Sequence, residues 1–400
     1  MSLRVAMTAL LSLAAWLVDS LWLPFVFRKP TGATTATATA PPLLLVRPDQ
    51  IGDAVLWLPS AVRITEAWRA RGFRIVMVAS AGHADWLYRT GLFDEVWPLR
   101  RRAFLLDPLY RIRFLNRVRR LRAAEVLHPV WSRELFTGDA IVRFSGAARR
   151  IGWTGDRSNT TRLEQWLGNR VYTELLTPPE PKGHELRRNE GLLDLLGIPA
   201  TRLDRLPLPR APLTAASLPE RYYVLVPGAR REIRRWPAAN FAAVASRLHR
   251  ATGLTGVICG GRGEAGLAAE IGAGTGAPLL DLTGRTSLEQ LTGIIADAAL
   301  VICNDTGAVH LAAAQGTPCV CILGGGHYGR FLPYPGSRLT DPRPPEVVSR
   351  VMPCFGCNWV CRYRWLSDAC APCIAGVSVD QVWDTVVRAI ESENGGRTFP

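Results

Sequence analysis

One pattern that occurs twice constrains this chain most. Residues 41–48 read PPLLLVRP and residues 221–228 read RYYVLVPG, each a short unbroken apolar run closed by a turn residue. A run without polar alternation fits a strand buried on both faces, as in a parallel sheet covered by helices. The first run is followed by helical patterning over about 54–71, the strand FRIVMVAS and a turn at Gly82. The second is followed by the helix PAANFAAVASRLHRATG, the strand TGVICGG, the helix GEAGLAAEIGAG and the short strand PLLDLTG. Strand and helix alternate in both halves, so the expected class is α/β with two doubly wound parallel-sheet domains. A chain of 400 residues is long enough for two cores. We place the first domain at 43–198 and the second at 220–400. The segment 199–219 between them holds five prolines and little periodicity, and reads as an interdomain linker. A ligand cleft is expected where the carboxyl edges of the two sheets face each other.

The N-terminus is of another kind. VAMTALLSLAAWLVDSLWLPFVF, from Val5 to Phe27, is long enough to span a bilayer, which takes about 20 residues. Asp19 lies past its middle, where a carboxylate costs roughly 2.5–3.5 kcal/mol, and Pro24 breaks the helix soon after. A cleaved signal peptide is disfavoured, because the small-residue stretch TGATTATATA lies well beyond the apolar core. We expect residues 1–30 to form a membrane-anchoring helix, spanning or lying in the interface, with Arg28 and Lys29 on the cytoplasmic side. Burial of this helix against the protein itself is the alternative. Residues 31–42, rich in Thr, Ala and Pro, read as a linker.

The net charge of +14 is carried almost wholly by arginine, with Lys29 and Lys182 the only lysines. Residues 100–170 hold 16 arginines against six acidic residues. Arginine's planar fork suits phosphate and carboxylate, so an anionic membrane surface or anionic substrate is the expected partner, against the plainer alternative of a solvated basic face. No helix-turn-helix, zinc-finger spacing or RNP-like aromatic motif supports nucleic acid.

Two short stretches carry candidate chemistry. In VRPDQIGDAVLWLPS, residues 46–60, Asp53 follows Gly52 where a buried strand hands over to a helix, so it either caps that helix or works above the end of the sheet. In LVICNDTGAVHLAAAQGTP, strand, polar turn and helix succeed one another, and Thr306 and Gly307 open the helix with free N–H groups, a ready anion site. Asp305 fits equally well as a helix cap. Five cysteines crowd near the C-terminus, in a segment at 354–373. The CxxC pairs Cys354/Cys357 and Cys370/Cys373 have the spacing of a structural zinc site, leaving Cys361 spare; free thiols fit as well, and an iron–sulfur centre less well.

Together these segments resemble glycosyltransferase family 9, the heptosyltransferases of lipopolysaccharide core assembly. The likeness rests on VRPDQIGDAVLWLPS, VPGARREIRRWPAANFAAVASRL, CGGRGEAGLAAEI with LLDLTGRTSLEQLTGIIADAALVICNDTGAVHLAAAQGTP, and a terminal helix near VDQVWDTVVRAI, in that order over roughly 43–390. It implies a GT-B architecture of two Rossmann-like domains, the first binding acceptor and the second nucleotide-sugar, with inversion at the anomeric carbon and no metal required. Asp53 matches the family's aspartate and is the expected general base, with Gly52 beside it. Gly228, Ala229 and Arg230 resemble the phosphate-facing loop. Arg234 stands where relatives usually carry a lysine beside sugar and diphosphate, a departure that keeps the charge and changes the shape; Arg235 is a candidate to share the role. Glu264 aligns with the acid that contacts the ribose, or else is a helix-start glutamate. Asp305, Thr306 and Gly307 match the sugar- and diphosphate-binding turn, and His310 the histidine after it, read here as support rather than catalyst.

The expected function is transfer of heptose or a related sugar from a nucleotide-sugar, ADP-heptose foremost, to a lipopolysaccharide-core or other lipid-linked glycan at the cytoplasmic face of the bacterial inner membrane. The alternatives are a nucleotide-sugar epimerase of the same architecture and a non-catalytic, membrane-tethered nucleotide-sugar binder.

Overall fold

The computed structural model describes residues 40–180, 182–213, 218–363 and 370–391. The expected anchoring helix at 1–30 and most of the linker at 31–42 lie outside these residues. Among the described residues no helix is long and apolar enough to cross a membrane.

The described chain forms two compact units. The first comprises residues 40–50, 60–180 and 189–200; the second comprises 51–59, 182–188 and 201–391. The division falls at Pro59 inside the helix Ile51–Ala70, where proline removes a backbone donor.

Each unit is built on a six-stranded sheet. The first contains β1 (Pro42–Arg47), β2 (Arg74–Ser80), β3 (Glu95–Leu99), β4 (Glu125–His128), β5 (Arg149–Trp153) and β6 (Glu174–Leu176), in the order β3-β2-β1-β4-β5-β6. The second contains β7 (Tyr222–Val226), β8 (Thr255–Ile258), β9 (Leu279–Asp281), β10 (Leu300–Asn304), β11 (Cys319–Ile322) and β12 (Glu346–Val348), in the order β12-β11-β10-β7-β8-β9. All pairings are parallel. Counted from its own first strand, the second sheet repeats the order of the first. The order reverses between β1 and β4 in one and between β7 and β10 in the other, the points where such sheets bind ligands.

Burial explains the unbroken apolar runs. Every residue of β1, β7 and β10 is buried, whereas the edge strands β6 and β9 are partly exposed. The first core gathers Leu44, Val76, Phe104, Leu115, Val126 and Ile141. The second gathers Tyr223, Leu225, Phe241, Ile302, Ile322 and Val382. The terminal helix Val379–Glu391 buries Val382, Val386 and Ala389, one face at helical spacing. The elements read from the second-half sequence are all present. In the first half, the helix expected over about 54–71 begins three residues earlier, at Ile51, so Asp53 lies in its first turn.

The carboxyl end of β4 carries a buried polar chain. The Tyr172 hydroxyl donates to Asp139 Oδ1 at 2.6 Å and lies 2.6 Å from His128 Nδ1. Since its one proton goes to Asp139, His128 must donate from Nδ1. Arg133 reaches Asp139 at 3.3 Å and bonds Asn169. Burial raises the Asp139 carboxyl above its usual range, opposed by Arg133 and the Tyr172 hydrogen bond, and burial holds His128 neutral. Removing one member strands the others without water. Tyr172→Phe is expected to destabilise the first unit by about 2–4 kcal/mol, read as a lower urea midpoint; an unchanged midpoint would show that this chain contributes nothing.

Candidate functional site

The site grows from the ends of β7 and β10. The turn at 227–230 follows β7, and Asp305 and Thr306 follow β10 before the helix Gly307–Gln315. Asn304, the last residue of β10, ties the two together: its Nδ2 donates to Pro227 O at 2.7 Å and its Oδ1 accepts the Trp236 N–H at 3.1 Å. Asn304 is fully buried, so both bonds form away from water. Its signal in the sequence is a polar residue closing the apolar run LVIC.

These ends open on a cavity of about 370 Å³. Its walls include Gly228, Ala229 and Arg230 from one turn, Thr306 and Gly307 from the other, Glu264 from the end of β8, and Ile51. Thr306 is the N-cap residue of the helix Gly307–Gln315, yet its side chain makes no cap bond and its buried Oγ1 has no partner. The first N–H groups of a helix also lack helical acceptors. An unmatched hydroxyl beside a positive helix end suits an anionic oxygen.

Asp305 does not cap this helix. Its carboxylate, almost wholly buried, pairs with Arg234, whose Nη2 lies 2.6 Å from Oδ2 and 2.5 Å from the Asp305 carbonyl oxygen. The Arg234 guanidinium also stacks 4.9 Å from the centre of the Trp359 ring. Arg235 turns elsewhere, donating from Nε to Ala229 O at 3.2 Å, and so braces the turn at 228–230. Arg230 is exposed at the cavity wall.

Glu264 stands at a helix start. Its Oε2 accepts the Gly261 N–H at 2.7 Å, as a helix-start glutamate does, and its carboxylate lines the cavity. Its Oε1 lies against Gly228, where a Cβ would come within 1.7 Å. An alanine there would displace the end of the Glu264 side chain.

The helix carrying Asp53 meets the same turn. A Cβ on Gly52 would lie 2.9 Å from His310 Cδ2 and 3.4 Å from Gly307 Cα, and a Cβ on Gly307 would lie 2.7 Å from Ile51 Cγ2. Two helix starts thus touch backbone to backbone, with the half-buried Asp53 the next residue along. His310 Nδ1 lies 2.8 Å from the Tyr334 hydroxyl, and the rings stack at 5.9 Å. Burial pushes its pKa down to about 4, which Asp305 opposes without reversing. A neutral, packed imidazole supports the turn rather than trading protons near pH 7. Tyr334 and Trp359 lie far along the chain from the residues they hold, and no local pattern announces them.

Among the described residues no three His, Cys, Asp or Glu side chains group so as to hold a metal ion. Cys370 and Cys373 are buried, while Cys354 and Cys357 are half-buried. Burial raises the Cys373 thiol, the neighbouring Cys354, Cys357 and Cys361 thiols add to that, and its sulfur accepts the Gly325 N–H at 3.5 Å. Cys373 is thus a buried thiol with the Cys354, Cys357 and Cys361 thiols near it.

The contact of Gly228 with Glu264 gives a direct test. Gly228→Ala is expected to weaken binding of ADP, the nucleotide implied by the resemblance, by about tenfold or more in calorimetry, because the carboxylate must leave its place. Unchanged affinity would mean that this turn does not form the nucleotide site.

A model of Glycosyltransferase family 9 (heptosyltransferase) matches residues 119–339. Lipopolysaccharide heptosyltransferase 3 of Escherichia coli is 34% identical over 118 residues; the match spans 29% of this chain and about a third (34%) of that relative. A glycosyltransferase family 9 structure from Veillonella parvula aligns with a TM-score of 0.69 at 16% identity, covering 88% of this chain and 98% of the other. The Escherichia coli heptosyltransferase solved with ADP-2-deoxy-2-fluoro heptose aligns with a TM-score of 0.58 at 19% identity, covering 88% and 99%. These likenesses to solved structures concern the fold, two parallel-sheet α/β units of the GT-B kind. With more than half of its length matched, the chain belongs to glycosyltransferase family 9.

Proposed function

We propose that this chain is an inverting glycosyltransferase that moves heptose, or a related sugar, from a nucleotide-sugar to a lipopolysaccharide-core or other lipid-linked glycan. ADP-heptose is the favoured donor. The reading places the reaction at the cytoplasmic face of the inner membrane and assigns no metal to the chemistry. One observation carries it: the helix start bearing Asp53 abuts the turn at 305–307 through Gly52 and Gly307. A candidate base and an anion-binding helix end are thereby gathered in one place. The curated relative is a lipopolysaccharide heptosyltransferase, and one solved relative holds an ADP-heptose analogue. Both support the choice of donor and acceptor.

The chemistry follows from these groups. The Asp53 carboxylate takes the proton of the acceptor hydroxyl as that oxygen attacks the anomeric carbon from the face opposite the diphosphate. The new C–O bond forms as the bond to the diphosphate breaks, and the configuration inverts. Charge then grows on the departing phosphate. The N–H groups at Gly307 and Ala308, the Thr306 hydroxyl and the Arg230 guanidinium supply positive potential for it, and Arg234, paired with Asp305, holds the turn that carries them. Glu264 offers two acceptor oxygens to the vicinal hydroxyls of a ribose.

Asp53→Asn tests this. The variant is expected to lose about 100-fold or more in kcat while binding ADP-heptose as the wild type does. Retained turnover would remove Asp53 from the role of base. Conversion of donor without any acceptor would point to an epimerase, and a wild type that binds donor without turnover would point to a binder.

A further inference from the structure

Among the described residues, a cluster of exposed aliphatic side chains lies in the first unit, away from the residues described above. Leu105, Leu106 and Leu109 are 44%, 71% and 64% exposed. They sit where the helix Arg101–Leu106 ends and the helix Pro108–Arg120 begins. This tip is firmly held from below. Phe104, Phe114, Leu115 and Val118 are buried in the core, the rings of Phe104 and Phe114 pack edge to face at 5.7 Å, and Arg111 Nη1 donates to Phe136 O at 2.9 Å.

The surroundings are basic. Residues 100–122 hold nine arginines and a single acid, Asp107. Asp107 is committed to its helix, accepting the N–H groups of Leu109 and Tyr110 at 3.0 and 3.1 Å, where the positive helix end offsets its charge. Leu109, Arg113, Arg117 and Arg120 are exposed and recur at helical spacing, so the apolar tip continues into a cationic stripe along one face. Arg102 is exposed on the preceding helix. Three exposed aliphatic side chains at a firmly packed helix junction, bordered by more arginines than acids, with Glu95 against Arg117 and Glu134 against Arg101, fit one kind of surface. The leucines reach the acyl boundary and the arginines meet headgroup phosphates.

We propose that the tip formed by Leu105, Leu106 and Leu109, with Arg102, Arg113, Arg117 and Arg120 around it, docks the first unit on an anionic lipid bilayer. The proposal deepens the reading of a lipid-linked acceptor and rests on it for its purpose. The docking itself can be measured without turnover.

The test uses the full chain and vesicles of phosphatidylcholine, with or without about 30% phosphatidylglycerol. The triple variant Leu105→Ser, Leu106→Ser, Leu109→Ser changes exposed positions and is expected to keep the wild-type unfolding midpoint. It should lose the slowing of amide exchange at 104–110 that anionic vesicles bring about in the wild type. In the wild type, amides of residues 104–110 should exchange more slowly once anionic vesicles are added. Replacing Arg113 and Arg120 with Gln should remove much of the preference for anionic over neutral vesicles. Unchanged exchange at 104–110 on binding overturns the proposal, because another segment then holds the membrane. With a water-soluble acceptor the triple variant should turn over like the wild type. A wild type inactive on every acceptor defeats the transferase reading and leaves the vesicle result standing.

Discussion

The close approach of Gly52 to Gly307 governs the second unit's chemistry. Any side chain at either position would push the two helix starts apart, since its Cβ would meet His310, the facing backbone or Ile51. With both positions bare, two positive helix ends share one corner. Helix ends hold anions with backbone N–H groups that need no counter-charge and little reorganisation. Asn304 keeps the second of these ends in register with the turn after β7. The corner is thus assembled from backbone, glycine and one amide, with the charged side chains arranged around it.

Arg234 shows how a departure from the family pattern is accommodated. A lysine there would bring a compact charge that one carboxylate oxygen satisfies. The arginine instead meets two oxygens of Asp305 with one nitrogen and lays its flat face on Trp359. The Trp359 backbone is held in turn at φ 60°, in the left-handed region, and its carbonyl accepts from Arg231 at 3.5 Å. Arginine and tryptophan therefore form one stacked contact beside the Asp305 ion pair. The pairing also cancels the Asp305 charge near a site meant for phosphate.

Much of the fold was legible because buried parallel strands must be apolar throughout. β1, β7 and β10 announce themselves that way, and the second half follows element by element. The first half is harder past β2. β4, β5 and β6 are short, and β5 opens with two arginines and β6 with a glutamate, so no clean apolar run marks them. The turn at 305–307 and the helix start at 51–53 were readable as local motifs. Their mutual contact depends on which glycines face which backbone, and spacing does not show that. The expectation that Asp305 could cap the helix gave way to its ion pair, because a buried carboxylate gains more from a guanidinium than from two amides. The two cysteine pairs differ in burial, which their spacing does not show.

The contact between the two helix starts can be tested most directly by a double-mutant cycle on Gly307 and Ile51. Gly307→Ala places a methyl group 2.7 Å from Ile51 Cγ2, and Ile51→Ala removes that atom. The expected result is a loss of about tenfold or more in kcat/KM for Gly307→Ala, most of it recovered when Ile51→Ala is added. If the two substitutions instead act independently and their losses multiply, the helix starts do not press on each other where the reaction takes place, and the account of the site fails.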